Sequence, residues 1–205
     1  MANHSKLSHL VLWERQARVR NLQKALQNCY WEDATVTTSW TTGNAQSFLQ
    51  PGNQSHRTEA SDDEVIINRS CAPIVHYYTG DHAYVELPTE ANHWIHVNGE
   101  DAILTSNMRL LYRCEKRDSV WKISDMTSVF EMDKLAPVIP GTDLHIDPED
   151  LKGLRRSYMW LSYVRIKSGG TISNDLIGID RPEDIQKIYD LAKAWIHPED
   201  YNSEN

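Results

Sequence analysis

Between Pro73 and Met132 the chain passes through three turns of hairpin composition, and this stretch limits the fold more than any other part of the sequence. "PIVHYYTGDHAYVEL" sets two apolar runs around Thr79-Gly80-Asp81. "NHWIHVNGEDAILTSNMRLLYRCEKRDSVWKISDMTSVFEM" adds turns at Asn98-Gly99 and Arg117-Asp118-Ser119. The pattern predicts four long antiparallel strands. "APVIPG" at 136–141 ends the run, because two prolines and a glycine cannot continue a central strand.

What flanks the strands decides how they are covered. Leu7, Leu10, Val11 and Ala17, then Val19, Leu22, Leu26 and Cys29, recur at helical spacing, so residues 6–29 read as one bent helix or two consecutive ones. "DATVTTSW" then alternates at period two, with Val36, Thr38 and Trp40 on one side, and gives a first strand. Residues 41–70 combine a short helix around Ala45 to Leu49 with the polar "QPGNQSHRTEASDDE", read as a long loop or lid. Beyond the sheet, Asp147 and Pro148 open a helix carrying Leu151, Leu154, Tyr158 and Leu161 and stopping at Gly169-Gly170. Pro182, Glu183 and Asp184 open a second, with Ile185, Ile188, Tyr189, Ala192, Trp195 and Ile196 on one face. The fold class is α+β: N-terminal helices on a strongly curved, mostly antiparallel sheet that encloses a pocket, with a C-terminal helical pair. The organisation is a cone domain over residues 1–140 and a helical extension over 141–205, packed on the same domain or on a partner subunit.

Composition narrows the class of partner. A net charge of −8, with Lys and Arg scattered singly or in short pairs, repels a phosphate backbone, so nucleic acid is not expected. No stretch is long and apolar enough to span a bilayer, and the sequence reads as a soluble cytoplasmic protein. Cys29, Cys71 and Cys114 are widely spaced and odd in number, which suits buried, inert thiols rather than a disulfide framework.

In its order of elements the chain resembles the SnoaL-like family of the nuclear transport factor 2-like superfamily, a cystatin-like α+β cone around a deep pocket. The segments that carry the resemblance are "ALQNCYWEDATVTTSW", "GDHAYVEL", "NGEDAILTSNMRLLYRCEKRDSVWKI" and "VFEMDKLAPVIPG". The tail "RRSYMWLSYV" with "DLIGIDRPEDIQKIYDLAKAWI" is similar to an extension in an uncharacterised subgroup of that family. The resemblance implies a small, largely apolar organic ligand, no cofactor and a homodimer. It implies either cofactor-free isomerase, cyclase or dehydratase chemistry or a non-catalytic binding or dimerisation module.

Aligned through "EDATV", the resemblance puts Thr38 where ketosteroid isomerases carry their general base, and Asn107 near the place of their protonated aspartate. Threonine cannot take a proton from carbon near neutrality, and asparagine cannot titrate. Asn68 stands where a histidine is expected in the dehydratases. The candidate catalytic set is therefore His76 as base, with Arg109 and Asn68 orienting or stabilising an oxyanion. For Arg109 a structural pair with Asp33 or Asp125 is the stronger reading, because buried charges normally come paired. Thr38, Trp40, Asn107, Met126 and Phe130 are the expected ligand-binding residues. Glu32 and Asp33 read as punctuation between helix and strand. His93 and His96 point to opposite faces of a strand, so no shared metal is expected.

Overall fold

The structure is a computed structural model that describes residues 2–50 and 65–197. The chain opens with two consecutive helices, α1 (Ala2–Val19) and α2 (Gln23–Asn28), broken at Asn21, whose φ of 53° is left-handed. Strand β1 (Tyr30–Thr37) starts before Asp33, because Tyr30 already pairs in parallel with Ile123. It stops short of Thr38, whose backbone N–H turns back to the Thr41 carbonyl at 2.8 Å and leads into β2 (Thr42–Asn44). Asn44 then caps α3 (Ala45–Phe48) by accepting from the Gln46 N–H at 2.7 Å.

Seven strands form one sheet in the order β2-β1-β7-β6-β5-β3, with β4 also on β5. Three are long: β5 (His82–Val97), β6 (Glu100–Arg117) and β7 (Val120–Pro137). The expected fourth, β4 (Ile74–Tyr78), has only five residues, because β5 shares that edge between two partners. Its neighbour is β3 (Val65–Ser70), which pairs with Thr89 to Trp94 and lies inside the segment expected to be loop. "VIINRS" holds three apolar residues beside a polar run, too brief a pattern to separate from its surroundings. Residues 51–64 of that expected loop lie outside the described residues.

The C-terminal segment departs from the predicted helix pair. Asp147 does cap, accepting from the Glu149 N–H at 2.9 Å, but only a 3-10 turn follows at Pro148–Leu151. Gly153 at φ 78° breaks the path, and a second such turn, Arg156–Tyr158, leads into α4 (Met159–Lys167), which Gly169 ends at φ 77°. The last helix, α5 (Pro182–Ile196), begins at its proline as read.

Three coverings result, and the gap between two of them makes the site. The inner face near the β6–β7 turn is sealed by α1 and α2, through Leu7, Val11 and Leu26 against Leu110, Tyr112 and Ile123. At its other end Tyr163, Trp160 and Leu154 cover Ile95, Ala102 and Leu104. On the outer face, Ala192 and Ile196 of α5 bury Tyr84, Leu111 and Val129. The connection from α4 to α5 is tied to β7 by the Phe130 N–H on the Ile177 carbonyl at 2.8 Å and the Ile179 N–H on the Phe130 carbonyl at 3.0 Å. Among the described residues no helix is long and apolar enough to cross a membrane.

Candidate functional site

A cavity of about 300 Å³ occupies the uncovered middle of the inner face. Alternation selects its wall: Thr89, Ala91 and His93 from β5, Ser106, Met108 and Leu110 from β6, and Met126, Ser128 and Phe130 from β7. Asn68 of β3 closes one side, and Trp40 and Phe48 the opposite one. Leu161, Val164 and Arg165 of α4 complete the lining, so the C-terminal segment is structurally part of the cavity. A shallower recess of about 430 Å³ adjoins it and shares Thr38, Trp40 and Arg165.

The polar side of the cavity comes from α1, where Arg15 and Arg18 join the lining. Between them Glu14 is wholly buried and accepts from Arg15 Nε and Nη2 at 2.5 and 2.7 Å, from Arg18 Nε at 3.0 Å, and from the hydroxyls of Tyr30 and Tyr112 at 3.0 and 3.1 Å. Burial alone would raise the Glu14 pKa, but the two guanidinium charges and these donors outweigh it and hold the carboxyl at about 2. Burial, together with the Glu14 charge, pushes the Tyr30 hydroxyl well above its usual range, so it stays a donor. Arg18 also lies flat on Phe48, 3.7 Å from the ring centre.

Of the residues picked from the sequence, Thr38, Trp40, Asn68, Met126 and Phe130 reach this cavity. The Thr38 hydroxyl is occupied by its own turn, accepting from the Trp40 and Thr41 amides at 3.4 and 3.3 Å. His76, Arg109 and Asn107 do not reach it. Odd positions of β6 face outward, which takes Arg109 and Asn107 to the opposite side of the sheet. His76 shares the outward parity of Ile74, which pairs with Glu86, and a β-bulge between Val75 and Tyr77 turns Tyr77 to the same side.

There His76 Nε2 lies 2.9 Å from the Glu86 carboxylate, and the Tyr189 hydroxyl of α5 donates to the same carboxylate. Arg109 donates to the Tyr189 hydroxyl at 2.9 Å and pairs with Glu131 at 2.8 Å, not with Asp33 or Asp125. Burial and the bond to Glu86 raise the Tyr189 pKa. None of these residues lines either cavity, so the cluster docks α5 onto the sheet.

Other expectations fall out locally. Glu32 and Asp33 lie exposed within β1 rather than at its start, and Asp33 pairs with Arg117 at 2.8 Å, which lowers its pKa. His93 and His96 do part, one to the cavity and one to Asp101 at 3.1 Å. Cys29 and Cys114 are buried, and burial pushes the Cys29 thiol up to about 12, whereas Cys71 is exposed.

Arg15, Arg18, Arg165, His93 and Ser106 were not singled out as ligand contacts by sequence reasoning. A signal existed for α1: Leu7, Val11, Glu14 and Arg18 fall on one helical stripe, so two charges sit where an apolar face is required. Nothing local marks Arg165 or Ser106.

No protein-family model matches the sequence, and no curated protein matches it significantly. Solved structures do. A hexachlorocyclohexane dehydrochlorinase, LinA type 3, from Novosphingobium barchaimii LL02 superposes with a TM-score of 0.54 at 16% identity, covering 72% of this chain and 95% of that one. A type 2 LinA dehydrochlorinase gives 0.51 at 16% identity, over 72% and 94%. An NTF2-like protein of unknown function from Pseudomonas putida KT2440 gives 0.49 at 12% identity, over 67% and 96%. Identities this low speak to backbone architecture alone. With helices on both faces of a curved, unclosed, mostly antiparallel sheet and a cavity on its inner side, the chain has the α+β cone fold that these dehydrochlorinases share.

Proposed function

We propose that this protein binds a small, largely apolar organic molecule in the cone cavity. The observation that carries the reading is the gap in the inner-face packing: Met108, Leu110, Met126 and Phe130 line an open space of about 300 Å³ where a core would otherwise close. That size lies at the lower end of ligand pockets, and a mainly apolar wall with a few placed polar groups is their usual chemistry. The dehydrochlorinases of the same fold are named for a substrate that is also a small organic molecule, which supports the ligand class without fixing the compound.

The test is titration with N-phenyl-1-naphthylamine, a neutral apolar fluorophore, against the native chain and Ala91→Phe. Ala91 faces the cavity and is 7% exposed, so the added ring occupies the space. Enhanced, saturable emission is expected from the native chain and its loss from the variant. Equal binding by both would sink the reading.

A second reading, cofactor-free proton transfer in the same cavity, is favoured by His93. Among the described residues it is the imidazole on the cavity wall, and histidine is the side chain suited to proton transfer near neutrality. His76 is replaced in that role because it faces α5. Turnover of a candidate substrate that survives His93→Gln unchanged would remove this reading. The homodimer proposed for this fold would use the part of the outer face left open by α5, where Ile67, Trp94 and Met132 are 39%, 43% and 60% exposed. Sedimentation of the native chain as a monomer at micromolar concentration would refute it.

A further inference from the structure

We infer that the molecule held in this cavity is an organic anion: an apolar body carrying one carboxylate or comparable acidic group, held by Arg18 and Arg165. The inference rests on the reading of the cavity as a ligand site and adds the charge of what enters it. Three arginines, Arg15, Arg18 and Arg165, belong to the lining, and among the described residues no Asp or Glu does. Glu14, behind the wall, is the carboxylate paired with the first two, which leaves an excess of two positive charges among the described residues around a mainly apolar space.

The hydrogen bonding is as unbalanced as the charge. Arg15 commits Nε and Nη2 to Glu14, but Arg18 commits only Nε, and its Nη2 is buried with no partner among the described residues. Arg165 gives Nε to the Thr171 carbonyl at 2.5 Å and has no ion pair among the described residues, and burial alone lowers its pKa. A buried guanidinium donor without an acceptor, as at Arg18 Nη2, is costly, and a carboxylate matches the planar fork. Two further lining side chains, Asn68 and Ser106, carry buried polar atoms without partners among the described residues. Met108, Leu110, Met126 and Phe130 offer the apolar remainder of the site to the body of such an acid.

The rest of the chain sharpens the argument. With a net charge of −8, an anion meets a repulsive average field, so preference for an anion must come from a local site. Arg165 is on α4 and Arg18 on α1, so their convergence on one cavity comes from tertiary packing and not from a run of basic sequence.

The experiment compares two fluorophores with the same ring system. 1-Anilinonaphthalene-8-sulfonate carries an acidic group, and N-phenyl-1-naphthylamine lacks it. The native chain should bind the sulfonate at least tenfold more tightly. Arg165→Gln should cut that ratio several-fold by weakening the sulfonate more than the neutral dye, and Arg18→Gln should act in the same direction. Ala91→Phe should lose both dyes. Equal affinities on the native chain, or a ratio unmoved by Arg165→Gln, would overturn the inference while leaving the cavity reading intact. Failure of both dyes to bind the native chain would overturn the two together. Arg165 stands outside the Glu14 cluster, so its variant remains a fair test even where Arg18→Gln fails to fold.

Discussion

Glu14→Gln is the perturbation that tests the centre of the cone most directly. In the native chain the carboxylate is 0% exposed and faces two guanidinium groups and two tyrosine hydroxyls. Its pKa moves from 4.5 to about 2, which corresponds to about 3 kcal/mol of stability at neutral pH. The sign follows from the direction of the shift. A carboxyl more acidic in the folded than in the unfolded state contributes fully above pH ~4.5, and that contribution is lost as the pH falls through about 2. Glutamine keeps the shape and an acceptor but removes the charge, leaving Arg15 and Arg18 buried and unpaired. Breaking one side of a buried pair costs about 3–5 kcal/mol, a large share of the ~5–15 kcal/mol that stabilises a domain.

Urea unfolding followed by tryptophan fluorescence at pH 7 and pH 3 measures both effects. The variant should lose about 3 kcal/mol or more at pH 7, and the gap to the native chain should narrow at pH 3, where Glu14 is largely protonated in the unfolded ensemble but still ionised in the fold. Burial raises the pKa of Asp125 and Asp133, which bends the acid limb the other way, but both proteins share that contribution and it cancels in the difference. A loss below about 1 kcal/mol at pH 7, or a gap independent of pH, would refute the reasoning. A second consequence has the opposite sign. Because Glu14 neutralises part of the positive wall, the folded fraction of Glu14→Gln should bind the sulfonated dye more tightly than the native chain does.

Asp133 reaches from β7 to accept the Leu161 N–H at 2.7 Å at the start of α4. Asp133→Ala should therefore cost about 1 kcal/mol, as loss of a helix cap does, and should weaken dye binding by loosening the α4 wall. Tyr189→Phe removes the hydroxyl joining Glu86 and Arg109. It should raise hydrogen exchange in α5 and cost about 1–2 kcal/mol, yet leave cavity binding unchanged, and a change in dye affinity would count against the separation of the two faces. At Gly178 an added Cβ would come within 2.7 Å of Ser157 Cβ. Gly178→Ala should lower the thermal midpoint by several degrees, from a strain of about 1–3 kcal/mol, and an unchanged midpoint would show that the loop yields freely.

The parts of the fold that were legible in the sequence are those governed by local rules. Turn residues at Gly80, Asn98-Gly99 and Asp118-Ser119 located the hairpins, and Asn98, Asp118 and Ser119 do adopt positive φ there. Pro182 marked the start of α5 in the same way. The predicted helix from Pro148 failed because one residue, Gly153, takes a left-handed φ of 78° inside an otherwise acceptable periodicity.

The site was less legible because it depends on parity. On a sheet covered on one face, alternation of polar and apolar residues tells inside from outside, but here α5 buries Leu111 and Val129 on the outer face while α1 buries Leu110 and Tyr112 on the inner one. Neighbouring positions on β6 are both apolar and both buried, so the sequence offers no way to choose between the set with Arg109 and the set with Ser106. On β4 the same parity takes His76 outward with Ile74, and the bulge before Tyr77 sends that ring to the same face. One choice of face moves three expected site residues together: His76, Asn107 and Arg109 all belong to the side that α5 shares. Arg18 and Arg165 reach the cavity instead, because α1 and α4 pack against the inner face from its two ends. In a sheet buried on both faces, charges on the covering helices show which face holds the site better than the strands can.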